Sequence, residues 1–283
     1  MVYLMDGEKK AVLQAAAKQI RCLLMDELGH LGVGHVGGSL SIADTLAVLY
    51  FDKMNIDPKN PKMEGRDRLV LSKGHAGPAL YATLAHRGFF DTALLHTLNK
   101  LGTLLPSHCD MLRTPGIDMT AGSLGQGISC AVGVAKALKI KGEDSHVYCI
   151  IGDGESQEGQ VWEASMAAAQ FKLDNLIVML DYNKMQIDGM VDDVNSLSNP
   201  AARWAALGFK TFEVDGHDVE AIAQAIDSAK KVTGAPSLIV LNTIKGKGVS
   251  FVEKAGFGCH NMTISPEQTK QALQELMNEG VKC

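Results

Sequence analysis

Short apolar runs alternate along this sequence with longer stretches in which apolar residues recur at helical spacing. The apolar runs, bounded by Gly, Asp, Asn or Pro, lie at 68–72, 147–151, 176–181, 210–214 and 238–243. The helical patterns that separate them lie at 125–139, 159–171, 201–207 and 219–232. Strands joined by crossover helices pair in parallel, and the helices cover the sheet. We therefore predict an α/β fold: a doubly wound, mostly parallel sheet with helices on both faces.

A helical segment precedes this alternation. Apolar residues recur at helical spacing over 8–29, which predicts a long N-terminal helix. The glycine-rich stretch 29–38 predicts a loop, and Asp44 lies near the start of a second helix that ends near Phe51. Because the sequence contains no internal repeat or linker, residues 1–283 are predicted to form a single domain with this N-terminal helical segment.

Composition excludes several classes of function. The net charge is −5 and no basic block is present, so nucleic acid is an unexpected partner. No apolar run reaches the roughly 20 residues of a membrane helix, and the N-terminus does not resemble a secretory leader. The six cysteines include no CxxC pair, which favours buried, reduced thiols and a cytoplasmic location; they are Cys22, Cys109, Cys130, Cys149, Cys259 and Cys283.

Polar side chains follow two successive predicted strands. Asp153 lies between Gly152 and Gly154 directly after one strand, and Asn183 follows the next strand. Parallel strands end at the same edge of a sheet, where ligands bind. A carboxylate and an amide oxygen suit Mg²⁺, which prefers hard oxygen ligands and phosphate oxygens. A Gly-Asp-Gly triplet alone is an ordinary turn, so this hypothesis depends on the spacing between Asp153 and Asn183.

That spacing resembles the metal motif of thiamine-diphosphate enzymes, and further motifs narrow the resemblance to the transketolase family. They are Ser72–His75, Gly122–Gly127, Gly152–Gly159 and Asp215–Asp218, in the family's order. The likeness runs from about residue 10 to residue 260. It implies a thiamine-diphosphate-binding fold and transfer of a two-carbon ketol unit between sugar phosphates, with thiamine diphosphate as cofactor.

The resemblance also implies roles for individual residues. It makes Asp153, Asn183 and the carbonyl of Met185 ligands of Mg²⁺, with Ca²⁺ or Mn²⁺ as alternatives. It assigns cofactor contacts to His75, Gly122, Leu124, Gly152, Asp153, Gly154, Glu155, Asn183, Ile244 and His260. For Lys245 a solvated loop and a place near the diphosphate are both open. Glu158 is either a solvated residue at a helix start or, as the resemblance favours, part of a dimer interface.

Four of the nine histidines match catalytic histidines of the family, namely His35, His75, His108 and His260. Imidazole titrates near neutral pH and can accept protons from sugar hydroxyls. The remaining five are predicted to be structural: His30, His86, His96, His146 and His217. The chain departs from the family at Val36, where a proline is usual, and at Cys259, where a tryptophan or threonine is usual. These departures leave the substrate open, and the assignment of His260 assumes an ungapped match.

The match ends before the pyrimidine-binding and C-terminal domains of a full transketolase. We therefore expect an N-terminal subunit that needs a C-terminal partner subunit, in a heterotetramer with two chains of each type, and that forms a homodimer when alone. Sugar phosphates are the expected substrates. The alternatives are a subunit of a 1-deoxyxylulose-5-phosphate synthase-like or other thiamine-diphosphate enzyme, including a 2-oxoacid dehydrogenase component, or a non-catalytic thiamine-diphosphate-binding protein.

Overall fold

The structure, a computed structural model, describes residues 5–278. Its helices are α1 (Gly7–Leu31), α2 (Gly37–Leu40), α3 (Ala43–Val48), α4 (Gly77–Arg87), α5 (Gln126–Lys141), α6 (Gly159–Gln170), α7 (Val191–Asn195), α8 (Pro200–Ala206), α9 (Val219–Ala229), α10 (Ser250–Lys254) and α11 (Pro266–Asn278). Its strands are β1 (Val33–Gly34), β2 (Arg68–Leu71), β3 (Val147–Gly152), β4 (Leu176–Tyr182), β5 (Met185–Gln186), β6 (Gly189–Met190), β7 (Lys210–Asp215), β8 (Ser237–Asn242) and β9 (Met262–Thr263).

Five strands form one parallel sheet in the order β2-β3-β4-β8-β7. These are the five strands predicted from the apolar runs, so the predicted α/β fold with a parallel sheet is confirmed. β3 and β4 are neighbours, and Gly152 pairs with Asp181 across them. The predicted metal ligands Asp153 and Asn183 therefore follow adjacent strands at the same edge of the sheet.

Apolar residues cover both faces of the sheet because successive strand residues point to opposite sides. Tyr148 and Ile150 belong to the core on one face, which is shared with α1, α3, α4 and α9. Cys149 and Ile151 belong to the core on the other face, which is shared with α5, α6 and α8. The prediction of helices on both faces is confirmed.

The prediction of an irregular loop over 29–38 is wrong. α1 continues to Leu31 and ends where Gly32 adopts a left-handed conformation with φ of 84°. Val33 then pairs with Thr263 in the antiparallel β1–β9 ladder, and α2 begins at Gly37. Segments distant in sequence thus impose regular structure on a stretch whose glycines alone favour a loop. The second predicted helix is broken, since α3 ends at Val48 and a π-helical turn continues to Lys53.

The described cysteines are free thiols. Cys109, Cys149 and Cys259 are buried as predicted, whereas Cys22 and Cys130 are half-buried, because each lies on a helix flank that is partly open to solvent. Cys283 lies outside the described residues. Within residues 5–278, no helix combines the length and apolar character that a membrane span requires.

Two glycines of α5 provide a matched test of the packing that positions the site. A Cβ on Gly127 would lie 2.6 Å from the Cα of Ser72, at the end of β2, whereas a Cβ on Gly133 would meet nothing within 4 Å. We expect Gly127→Ala to destabilise the protein by about 1–3 kcal/mol through this clash with backbone. Gly133→Ala should stabilise it by up to about 1 kcal/mol, since alanine favours the helix. Equal melting temperatures for the two variants in thermal unfolding would contradict this packing.

Candidate active site

Three segments meet at the carboxyl edge of the sheet. Gly152–Glu155 ends and follows β3, Asp181–Asn183 ends and follows β4, and Thr243–Lys245 follows β8. Because β3, β4 and β8 are consecutive in the sheet, these segments lie side by side. Ligands of open α/β sheets bind at this edge, where the strands end.

Asp153 is buried at the end of β3, with only 2% of its surface exposed. Its two carboxylate oxygens accept hydrogen bonds from the backbone N–H groups of Gly154 and Lys184. Burial and the neighbouring carboxylate of Asp181 nevertheless raise the pKa of Asp153 to about 7. A buried carboxylate of this kind is a favourable ligand for a cation that would offset the cost of its charge.

The side chain of Asn183 has a fixed orientation. Its Nδ2 donates to Oδ2 of Asp181 at 2.9 Å, and its Oδ1 accepts from the Met185 N–H at 3.1 Å. The carbonyl of Met185 accepts from the Lys245 ammonium at 3.2 Å. A positive group therefore already contacts one of the three predicted metal ligands.

The donor set fits a hard divalent cation. The Asp153 carboxylate, the Asn183 amide oxygen and the Met185 carbonyl are oxygen donors, as Mg²⁺ prefers. In the part of the chain that the structure describes, no group of three or more His, Cys, Asp or Glu side chains is placed to hold a metal. A metal bound here would therefore depend on amide and carbonyl oxygens besides one carboxylate.

Asp181 and Lys73 form a buried ion pair beneath these residues, with Nζ and Oδ2 2.6 Å apart. Ser41, Asn183 and Thr243 also donate to the Asp181 carboxylate. Burial alone would raise the pKa of Asp181, but the Lys73 ammonium and these donors hold it below its usual value. Sequence reasoning assigned no role to Lys73 or Asp181, although Lys73 lies inside the Ser72–His75 motif and Asp181 ends the predicted strand 176–181.

Glu155 ties three segments of the site together. Its carboxylate accepts from the Ser72 hydroxyl and from the backbone N–H groups of Gly125 and Gly152. Burial raises the pKa of Glu155, although these three donors oppose the shift. Both carboxylate oxygens are thus engaged within the protein, at the start of α5 and at the ends of β2 and β3.

The four histidines predicted to be catalytic form one cluster. The ring centre of His35 lies 5.5 Å from that of His75, 6.0 Å from that of His108 and 5.4 Å from that of His260. The rings of His75 and His260 are 4.8 Å apart. Residues from opposite ends of the sequence thus converge on one point above the sheet edge.

Three of these imidazoles are biased towards the neutral form. Burial lowers the pKa of His35, and the neighbouring His108 adds to the effect. Burial and the Lys73 ammonium lower the pKa of His75 well below its usual value. Burial and the Lys245 ammonium lower the pKa of His260 to about 4. Neutral imidazoles can accept protons at physiological pH.

A cavity of about 260 Å³ opens between these groups. Its lining includes nine predicted site residues: His75, Leu124, Gly152, Asp153, Gly154, Glu155, Asn183, Met185 and His260. Glu158 and Lys245 line it too, as do residues that sequence reasoning missed: Gly38, Lys73, Gln157, Asp181, Gln186, Ile187 and Asp188.

The remaining predicted residues lie around this cavity. His35 contacts two lining histidines, His75 and His260, and its ring stands edge-on to that of His108. Gly122 lies close to His108, since a Cβ there would be 3.7 Å from the imidazole. Ile244 precedes the lining residue Lys245 and has 46% of its surface exposed.

The raised pKa of Asp153 predicts a pH dependence of stability in the metal-free chain. The pKa of Asp153 in the folded chain, about 7, exceeds the ordinary value of 3.8. The stability that its retained proton contributes is therefore fully present below pH 3.8 and is lost as the pH rises to about 7. The free energy of unfolding of Asp153→Asn, relative to that of wild type, should therefore rise by about 2–3 kcal/mol between pH 5 and pH 8 and level off above pH 7. Chemical unfolding with a chelator present measures this difference. The exposed control Asp193→Asn should show no such gain, and parallel stability curves for Asp153→Asn and wild type would contradict the assignment.

Comparison with known proteins identifies the family. The family model for the transketolase thiamine diphosphate binding domain matches residues 12–279. The 6-deoxy-6-sulfo-D-fructose transketolase subunit SqwG of Clostridium sp. strain MSTE9 is 55% identical over 97% of this chain and 99% of its own length. An apulose-4-phosphate transketolase subunit of Phocaeicola vulgatus is 38% identical over 93% of each chain.

Longer transketolases match over only part of their length. Human transketolase is 35% identical over 97% of this chain and 43% of its own. The solved transketolase of Leishmania mexicana superposes with a TM-score of 0.88 at 30% identity, over 99% of this chain and 42% of the other. The chain therefore spans about two fifths of these full-length enzymes. It belongs to the transketolase family and corresponds to the thiamine diphosphate-binding domain of that family.

Proposed function

We propose that this chain is the N-terminal subunit of a two-subunit transketolase and that, with a C-terminal partner subunit, it transfers a two-carbon ketol unit from a ketose to an aldose. The observation that carries the proposal is a cluster of four histidines, two of which, His75 and His260, line the cavity that contains Asp153 and Asn183. Two relatives of matching length, both named as transketolase subunits, support it.

Thiamine diphosphate is the cofactor that fits this cavity, and it supplies carbanion stabilisation when bound. Asp153, Asn183 and the Met185 carbonyl would hold Mg²⁺, with Ca²⁺ or Mn²⁺ as alternatives. The ammonium groups of Lys73 and Lys245 place positive charge in the same lining and would attract the diphosphate. A side chain at Gly38 would come within 3.3 Å of His75 and would narrow this space.

The remaining predicted cofactor contacts come from residues around the cavity. Gly152, Gly154 and Glu155 would contact the cofactor from the end of β3, Glu155 through its backbone because its carboxylate is engaged within the protein. Gly122 and Leu124 would face the ring portion of the cofactor from the segment before α5. His75, Ile244 and His260 complete the set.

The histidine cluster gives the chain its own acid–base groups. His35 and His260 would contact the reacting end of the sugar, and His75 and His108 would lie nearer the cofactor. The lowered pKa values of His35, His75 and His260 keep these rings unprotonated at neutral pH, the form that can accept a proton, while making each a weaker base than a free imidazole. Positioned bases of this type typically accelerate a reaction by about 10²–10⁴-fold.

A partner subunit would complete the site. Exposed apolar side chains lie at the cavity and in its neighbouring loops, including Ile187, Ile244 and Phe257 with 60%, 46% and 52% of their surfaces exposed. Large apolar groups in such a place favour contact with another protein. The full-length relatives extend well beyond the region that this chain matches. A separate partner chain would supply the corresponding part of the enzyme. We propose a heterotetramer with two chains of each type, and a homodimer of this chain alone.

The relatives also suggest the donor. The subunit named for 6-deoxy-6-sulfo-D-fructose is 55% identical, compared with 38% for the subunit named for apulose 4-phosphate. We propose a ketose with a terminal sulfonate as donor, in place of the sugar phosphate that the sequence alone suggested. Both groups are tetrahedral anions, but a sulfonate carries a single charge.

Replacement of Asn183 tests the metal site. In the complex with the partner, Asn183→Ala should weaken magnesium-dependent binding of thiamine diphosphate by about tenfold or more, because one oxygen ligand is lost. Titration calorimetry with a melting curve of each protein measures the effect separately from folding. Asn195→Ala, on the exposed side of α7, is the matched control. An affinity for Asn183→Ala within about threefold of wild type would remove Asn183 from the ligand set.

Reconstitution tests the proposed activity. The chain alone should fold, bind thiamine diphosphate weakly or not at all, and show no ketol transfer, because half of the cofactor site is absent. Adding the C-terminal subunit should restore tight binding and turnover, with 6-deoxy-6-sulfo-D-fructose preferred over fructose 6-phosphate. Full turnover by the chain in preparations free of the partner would refute the two-subunit proposal. A preference for the phosphate would refute the sulfonate donor and leave the two-subunit proposal standing.

A further inference from the structure

The turn between β7 and α9 lies directly against the end of β8. The N–H of Gly216 donates to the carbonyl of Asn242 at 2.8 Å. A Cβ on Gly216 would lie only 2.4 Å from Cγ2 of Thr243, so the absence of a side chain permits this approach. The next residue of the turn, His217, is thereby placed beside the loop that carries Lys245 into the cavity.

His217 bridges a buried ion pair and that loop. Its Nδ1 lies 2.9 Å from Oδ2 of Asp44, and its Nε2 accepts the N–H of Ile244 at 2.8 Å. Because Nε2 is an acceptor, the ring proton is on Nδ1 and is donated to Asp44. Asp44 in turn pairs with Arg21 of α1. The Asp44 carboxylate thus fixes the tautomer and the orientation of the imidazole. Nε2 is thereby left as an acceptor for the Ile244 N–H.

The loop held by His217 reaches the cavity one residue later. Lys245 follows Ile244 and donates to the Met185 carbonyl at 3.2 Å. On either side, Thr243 donates to Asp181 and the N–H of Gly246 donates to the carbonyl of Gly37 at 3.0 Å. Ile244 lies between these two attachments, with 46% of its surface exposed.

We propose that His217 is a positioning residue, which accepts the Ile244 N–H and so fixes the loop that places Ile244 and Lys245 at the cavity. His217 itself does not line the cavity and acts through the backbone of its neighbour. The effect on the cofactor rests on the proposed function, whereas the effect on the loop does not. Asp44 and Arg21 supply the rigid support that keeps the ring in place.

Two substitutions separate the two hydrogen bonds of His217. In His217→Asn the side-chain amide can occupy the position of Nδ1 and still donate to Asp44, but nothing reaches Ile244. In His217→Gln the amide oxygen can occupy the position of Nε2 and still accept from Ile244. The proposal therefore predicts that the glutamine variant behaves like wild type and the asparagine variant does not.

Hydrogen–deuterium exchange of the full chain without cofactor or partner measures the loop directly. In His217→Asn, the amide of Ile244 should exchange about fivefold faster or more, since one backbone hydrogen bond is lost. In His217→Gln its exchange should stay within about twofold of wild type. His86→Asn, which removes a ring packed on Phe51 away from the site, is the control and should leave this amide unchanged. Equal exchange at Ile244 in His217→Asn and wild type would overturn the proposal.

Cofactor binding by the complex with the partner is the second measurement. His217→Asn should weaken magnesium-dependent binding of thiamine diphosphate by about threefold or more, and His217→Gln should restore it. Faster exchange at Ile244 with unchanged cofactor affinity would overturn the link to the cavity. If the wild-type complex binds no thiamine diphosphate, the proposed function fails, and the exchange experiment still decides whether His217 positions the loop.

Discussion

A buried ion pair at the end of the central strand organises the site. Asp181 has no exposed surface and pairs with Lys73, which has 1% of its surface exposed. Removing two charges from water costs several kcal/mol for each ion, and only close pairing with further hydrogen bonds offsets that cost. Here the further bonds come from Ser41, Asn183 and Thr243, and from Lys73 to the carbonyl of Gly38. The pair therefore joins four segments, and its disruption would leave an uncompensated buried charge.

Charge is distributed over the cavity in a way that favours an anionic cofactor with a cation. Asp153 and Asn183 provide oxygen donors at the floor, while Lys73 and Lys245 provide ammonium groups close by. Burial is the main cause of the low pKa values of His75 and His260, and the same ammonium groups lower these values further. Both imidazoles therefore stay neutral beside acidic residues. One arrangement of charges thus serves both cofactor attraction and the protonation state of the histidines.

Local sequence predicted the sheet well because buried parallel strands are short apolar runs, as β2, β3, β4 and β8 are; the edge strand β7 is exposed or half-buried throughout and follows this pattern least. It also predicted that Asp153 and Asn183 lie at the same edge of the sheet, because each directly follows the end of a parallel strand. It could not predict that Lys73 pairs with Asp181, because the two residues are 108 positions apart and no local sequence pattern marks a lysine that will be buried. The convergence of His35, His108 and His260 followed from the family resemblance, because no periodicity relates such distant residues.

The pairing of β1 with β9 also constrains how the chain can fold. Val33 and Gly34, immediately before His35, are held by Met262 and Thr263, and α11 packs against α1 through Thr269 at Gly29. These contacts join residues 29–34 to residues 262–269 and so have very high sequence separation. Contacts of this kind form late, since loop-closure entropy must be overcome first. On a ribosome, His35 could reach its final position only after Met262 and Thr263 had emerged, so this part of the active site would form later than the sheet beneath it.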